Sequence, residues 1–218
     1  MIKRTSQLLL GLMIIGASHF CFAQSKSSAS ISVTSKDLLY VGIENPVTIT
    51  TQGITEDKIT VSISEGTITG GNGKYIAVVS QNSTVTIDVS SEGKKIGFKE
   101  FTVKTIPDPV IYVSGKTSEG VITKEELMKL EAIDYKIDNI DADVKFWILS
   151  FDLTINMRDK EGKSELVTEP SGSKKLTDKQ KEYLSQAKSG NKIYFENIKV
   201  KGSDGSIRKL PGVNLKLK

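Results

Sequence analysis

Thiol nucleophiles, imidazole general bases and Cys/His metal sites all need cysteine or histidine, and this chain has one of each, Cys21 and His19. Both fall in a stretch with the marks of a cleaved export signal. Met1–Ile2–Lys3–Arg4 is a basic start, Leu8 to Ala17 an apolar run, and Phe20–Cys21–Phe22–Ala23 before Gln24 a cleavage site ending in a small residue. Cleavage after Ala23 would leave a mature chain without thiol or imidazole, so its chemistry would rest on carboxylates, hydroxyls and amines.

Four constellations of that kind stand out. Gly115–Lys116–Thr117 and Gly162–Lys163–Ser164 end like a phosphate-binding loop. Such a loop needs a further glycine five positions before its Gly–Lys pair, where Val110 and Met157 stand, so both are read as turns. Asp138, Asp141 and Asp143 offer calcium-type oxygens. Alternate-position ligands and a sixth-position glycine are missing, with Ile140 third and Asp143 sixth, and the cluster is read as a solvated loop. Ser171/Lys174 and Ser185/Lys188 have Ser-x-x-Lys spacing, which a chain rich in serine and lysine produces by chance. The Trp147/Phe151 face could serve as a ligand platform, yet aromatics alternating along a strand are usually core. No catalytic residue, cofactor site or metal site is assigned, and the chain is read as a non-enzyme.

The formal net charge is +4, and loss of Lys3 and Arg4 with the signal brings it closer to neutral, which does not fit a nucleic-acid binder. The apolar run of the signal is too short to span a bilayer, and Phe20 before Cys21 disfavours a lipid anchor on that cysteine. Export with no structural cysteines fits a bacterial periplasm.

Along the mature chain, residues 24–30 form a Ser-rich polar leader. From Ile31 the pattern is β: Val47/Ile49, Ile59/Val61/Ile63, Val85/Ile87/Val89 and Phe101/Val103 alternate with polar or β-branched residues, between turns rich in glycine and asparagine. This predicts an immunoglobulin-like β-sandwich of roughly seven strands over 31–105. Ile106–Pro107–Asp108–Pro109 then reads as a semi-rigid proline linker over 106–109.

Residues 110–218 predict an α+β domain with an antiparallel sheet and two helices, making the whole chain mainly β. Thr123 with Glu126, and Thr177 with Gln180, are capping boxes that start helices, and Gly190 is a stop for the second. Phe146 to Met157 predicts a strand with Trp147, Leu149, Phe151, Leu153, Ile155 and Met157 on one face. An apolar phase change at Glu196–Asn197 predicts a bulge. Val213, Leu215 and Leu217 predict a last amphipathic strand, with Ser203–Asp204–Gly205 as its hairpin turn. Lys199, Lys201, Arg208, Lys209, Lys216 and Lys218 could line one basic face, either as solvated edge charges or as a docking patch for an acidic partner.

Several segments together resemble the C-terminal periplasmic part of GldM/PorM proteins of the Bacteroidetes gliding and type IX secretion machinery. Tyr40–Val41–Gly42–Ile43–Glu44–Asn45–Pro46 resembles the family's Y-x-G-x-x-N-P opening of an immunoglobulin-like domain. Gly73–Lys74–Tyr75, Phe101 to Pro109, Gly115 to Gly120 and Ile193 to Arg208 resemble its later landmarks. The resemblance implies a non-enzymatic protein whose distal part dimerises and meets ring subunits at the outer membrane. Full-length members carry a membrane helix and a helical proximal domain. The signal here stands in their place, so force transmission is not carried over.

The resulting expectation is a periplasmic interaction or structural protein, an accessory or paralogue of that machinery, acting as a homodimer with a protein partner. It would have no nucleic acid, no cofactor and no membrane span after cleavage. The interaction residues singled out are Asp108, Asp204, Arg208 and Lys209, with the last strand as an exposed edge. Arg208→Glu is expected to leave the fold intact and weaken partner capture. The alternative is an envelope- or carbohydrate-binding module built on exposed Tyr40, Tyr75 or Tyr194.

Overall fold

The computed structural model describes residues 27–33, 36–140, 142–158 and 163–218. The stretch read as an export signal, with His19 and Cys21, and residues 24–26 of the expected leader, Asp141 and Gly162 lie outside the described residues.

The first half contains β1 (Ser28–Val33), β2 (Leu38–Tyr40), β3 (Asn45–Gln52), β4 (Ile59–Ile63), β5 (Thr67–Gly71), β6 (Lys74–Val78), β7 (Thr84–Ser91) and β8 (Lys94–Lys104). They form two four-stranded sheets, ordered β1-β3-β6-β5 and β2-β8-β7-β4. The period-two runs place their apolar residues inward: Val47, Ile49, Val85, Ile87, Val89, Phe101 and Val103 share one buried cluster. Their Thr and Ser neighbours stay on the outside. Two-residue loops at Asn72–Gly73 and Glu92–Gly93 take positive φ at both positions, the twist that joins antiparallel strands without splaying them. Where roughly seven strands are expected, eight lie among the described residues.

The second half contains β9 (Val110–Tyr112), β10 (Glu119–Ile122), α1 (Lys124–Met128), β11 (Asp134–Lys136), β12 (Phe146–Arg158), β13 (Ser164–Ser171), α2 (Asp178–Gln186), β14 (Lys192–Gly202), β15 (Ile207–Leu210) and β16 (Val213–Leu217). A six-stranded sheet runs β10-β16-β14-β12-β13, with β15 beside the second half of β14 on the same flank as β16. A separate two-stranded ribbon joins β9 to β11. Phe151, Leu153, Ile155, Phe195, Val200 and Leu215 are among the buried residues of this half's core, with Leu127 of α1 and Leu184 of α2.

Both helices start where their capping boxes predict. Thr123 Oγ1 accepts from the Glu126 amide at 3.1 Å while Glu126 accepts from the Thr123 amide at 2.9 Å. That backbone bond, with the Lys116 ammonium at 3.0 Å, holds the Glu126 carboxyl down at about 2. Thr177 and Gln180 repeat the arrangement, both at 3.0–3.1 Å. At the other end of α2, Lys124 Nζ donates to the carbonyls of Leu184, Ser185 and Ala187 at 2.9, 2.7 and 2.7 Å. The cation sits against the negative end of the helix dipole and ties α1 to α2. Lys124→Met should therefore cost about 1 kcal/mol, visible as a lowered midpoint in thermal unfolding.

Two strand readings need correction. In β12, Trp147 and Leu149 do not join the core face. Residues Phe146 and Ile148 are buried, Trp147 is 52% and Leu149 37% exposed, and burial resumes in phase at Phe151, Leu153 and Ile155. The cause is a pair of register shifts against β14: an extra residue on β12 between Ile148 and Ser150 reverses which of its side chains point inward, and a second shift on β14 follows before Asp152. The bulge expected at Glu196–Asn197 lies within this same interval: Asn197 takes φ +52, and its side-chain amide donates to Asp152 at 2.8 Å. β16 is likewise not an edge. It pairs with β14 on one side and, in parallel, with β10 on the other. The turn at Ser203–Gly205 joins β14 to β15, and the edge position belongs to β15.

Candidate interaction surface

Asp108, Asp204 and Arg208 come together between the two halves. Arg208 projects from β15 with its side chain only 16% exposed. Its Nη1 donates to the carbonyls of Ile106 and Pro107 at 2.9 and 3.2 Å and reaches Asp108 Oδ1 at 3.1 Å. Its Nη2 pairs with Asp204 Oδ2, its Nε donates to Ser206 Oγ at 2.9 Å, and its plane lies 5.1 Å from the Phe146 ring. One guanidinium thus clasps the linker carbonyls and the last hairpin turn at once, a fork that no lysine could supply. Burial pushes the Asp204 carboxyl up. The Ser206 hydroxyl and amide together with Arg208 outweigh that and hold it below its ordinary 3.8.

The first half meets this clasp through its Tyr40–Pro46 loop. Gly42, at φ +76, lies so close to Asp204 that a Cβ would stand 3.1 Å from the Asp204 Cβ, so this turn needs glycine twice over. Tyr40, 5% exposed, buries its ring with the second half's core beside Ile106, although its backbone is in β2. Asn45 fixes the loop: its Oδ1 accepts from the Tyr40 amide at 2.7 Å, and its Nδ2 faces the carbonyls of Tyr40, Ile43 and Ala77 at 3.0, 3.0 and 3.2 Å. The residues that made this segment recognisable in sequence are those that build the junction.

Lys209 points away from the clasp and is exposed. It lies on the outer sheet face with Lys199 and Lys201 of β14, and with Lys192 and Lys216 nearer the other end. Arg208, on the opposite side of β15, leaves the basic face expected for it. The outer face also carries a shallow depression of about 460 Å³ lined by Glu119, Val121, Lys192, Tyr194, Asn214 and Lys216.

The other constellations resolve into ordinary structure. Ser171 Oγ donates to the Lys175 carbonyl at 2.6 Å and Ser185 Oγ to the Glu182 carbonyl at 2.6 Å, so neither hydroxyl faces its Ser-x-x-Lys amine. Ser114–Gly115 is a tight turn closed by the Val113–Lys116 bridge. Asp138 and Asp143 lie beside Lys136 and Lys145 at 3.9 and 3.4 Å. Tyr40 and Tyr75 are buried, whereas among the described residues the large exposed rings are Phe98 in the first half and Trp147 in the second. A sugar platform built on Tyr40 and Tyr75 is therefore not formed.

Compared with known proteins, residues 28–104 match the GldM third domain and residues 107–218 match the GldM C-terminal domain. The chain belongs to the GldM family. The boundary between the two matches falls on the linker that Arg208 clasps. GldM-family domains are periplasmic and structural, and they imply protein–protein interactions in a gliding and type IX secretion complex. Among the described residues no helix is long and apolar enough to cross a membrane. No curated protein matches the chain. Solved structures similar to it include the Yersinia pseudotuberculosis adhesin InvE, at 11% identity and TM-score 0.30, covering 88% of this chain and 59% of that one. Another is surface layer protein SbsC, domains 6–7, at 10% identity and TM-score 0.27, covering 87% of this chain and 98% of that one. The chain spans less than two thirds of the InvE chain.

Proposed function

We propose that this chain is an exported, non-enzymatic interaction protein of the gliding and type IX secretion machinery, made of an immunoglobulin-like unit over 31–105 and an α+β unit over 110–218. It works as the distal part of GldM does, by presenting β-surface to protein partners among the ring subunits, and it pairs with a second copy. The observation that carries this reading is the junction. Two consecutive GldM-family domains are locked through Arg208, Asp204, Tyr40 and the linker carbonyls. A fixed angle between domains suits a part that must present two surfaces to one assembly.

The test is a crosslinked pull-down of the tagged protein from its native envelope, read by mass spectrometry beside a tag carrying the export signal alone. Ring subunits of the secretion machinery should be recovered with the protein and not with the control. Recovery of the protein only with itself, or with glycan, would overturn the assignment.

A further inference from the structure

We propose that the outer edge of β15, with the sheet face beside it, docks an extended acidic segment of a protein partner as an added strand. This deepens the interaction role above, rests on it, and names the site and the chemistry of the partner.

The edge is open, and the direction of its polar groups follows from the turn. Gly202 N–H donates to the Ser206 carbonyl at 2.9 Å, which makes Gly202/Ser206 a hydrogen-bonded pair. Counting along the ladder, Val200/Arg208 and Ile198/Leu210 are hydrogen-bonded pairs too. The N–H and C=O of Ile207 and Lys209 therefore point away from β14, and among the described residues no hydrogen bond reaches them. Four backbone groups in a row are the template for strand addition.

Side chains on the outer face define the guest. Ile207 is 65% exposed, and in the same register row, across Lys201, stands half-exposed Trp147. Both leave apolar surface open to solvent side by side on the outer face. Lys199 and Lys209 sit directly opposite one another, a like-charge cross-strand pair that costs stability. Neither they nor Lys201 has an acidic partner among the described residues. By contrast Lys116, Lys129, Lys174, Lys179 and Lys181 of the same half each lie beside a carboxylate. A lysine on an edge strand can serve to discourage aggregation, and Lys209 alone would fit that role. Lys199 and Lys201 lie on β14, which is paired on both flanks and needs no such protection. The positive charge continues at Lys192 opposite Lys216.

A guest carboxylate beside Lys209 would relieve the like-charge pair, and a guest apolar residue would cover Ile207. A second copy of this chain would bring more lysines to the same edge, so charge selects an acidic partner over self-pairing. The sheet's long outer strand, β13, is less open: Gln180 Nε2 donates to its Glu169 carbonyl at 2.7 Å, and Pro170 brings no N–H.

The test titrates the exported protein with the peptide Glu-Val-Glu-Val-Glu-Val-Glu and, separately, with its Lys-for-Glu counterpart, reading amide hydrogen exchange residue by residue. The acidic peptide should slow exchange at Ile207 and Lys209 by about tenfold or more at saturation, with weakening at high salt, and the basic one should not. Two variants keep the fold out of the result. Ile207→Pro removes an N–H that makes no ladder bond, and Lys209→Glu gives Lys199 an opposite charge, so both should melt no lower than the parent. Both should lose protection by the acidic peptide. Equal binding of the two peptides, absence of binding, or binding retained by Ile207→Pro would overturn the proposal. Protection of Ile207 that rises with protein concentration alone would overturn it too, by assigning the edge to a second copy. If Ile207→Pro still recovers ring subunits in the pull-down, this docking site fails while the assignment to the machinery stands.

Discussion

Asn45→Ala will cost the first half of the chain about 3 kcal/mol, because it removes one side chain that satisfies several buried backbone groups. The Asn45 amide is 5% exposed and joins Tyr40 N–H and O, Ile43 O and Ala77 O. Alanine leaves the Tyr40 amide and at least one carbonyl without a partner in a place water does not reach. Each such orphan costs about 1–3 kcal/mol, and the loop that carries Tyr40 into the junction loses its clamp. For a chain of this size the thermal midpoint should fall by roughly 6–12 °C. Asn45→Asp separates the donor role from the acceptor role. Its carboxylate can still accept from Tyr40 N–H but faces three carbonyl oxygens, so at neutral pH it should be as damaging as alanine. Those carbonyls and burial would raise its pKa, and the protonated form can donate, so part of the loss should be recovered as pH falls. Thermal unfolding of both variants across pH checks this, and a midpoint unchanged in Asn45→Ala would refute the clamp.

The parts of this structure legible in sequence are those governed by neighbours a few residues apart. Thr123 with Glu126 and Thr177 with Gln180 announce helix starts because capping is settled within one turn. Asn72–Gly73 announces a hairpin because only certain residues take positive φ twice running. The phase break at Glu196–Asn197 was visible on β14, since Phe195 and Ile198 cannot both face inward on a regular strand. The matching shift in β12 was not. Trp147 to Met157 alternates without a flaw, and only the extra residue that β12 takes up against β14 between Ile148 and Ser150 turns Trp147 and Leu149 outward. Long-range pairing hid two further features. The alternation of Val213, Leu215 and Leu217 says that one face is buried but not whether the strand has one neighbour or two, and β16 has two. In sequence, Asp108 stands out at the family-like junction and Asp204 and Arg208 at the last hairpin. That they meet one another around a guanidinium depends on a separation of about a hundred residues that no local pattern encodes.

Arg208→Met will free the linker without unfolding either half. Methionine keeps an apolar stem against Phe146 but returns no donor to Ile106 O, Pro107 O or Asp204, and leaves the Asp204 carboxylate, 13% exposed, with only Ser206. Losing one member of a buried pair costs 3–5 kcal/mol, and the partial exposure here reduces this to about 2 kcal/mol. Charged to local opening of the junction, that is an increase of roughly thirtyfold in the open population. Limited proteolysis across residues 104–110 should quicken to that extent, while circular dichroism and the exchange of core amides stay as in the parent. Lys209→Met, one residue away but pointing to solvent, should leave cleavage of the linker as in the parent. Acid should act in the same place. Asp204 titrates below its ordinary value in the folded chain, so its contribution is complete above pH 3.8 and is lost as pH falls through the lowered value. Pepsin cleavage of the linker should therefore accelerate between pH 4 and lower pH in the parent. Asp204→Asn should be open already at neutral pH and show no such step. If cleavage in the parent does not change as pH falls from above 3.8 through the lowered value, while Arg208→Met is cut fast throughout, the clasp depends on the linker carbonyls and not on the carboxylate.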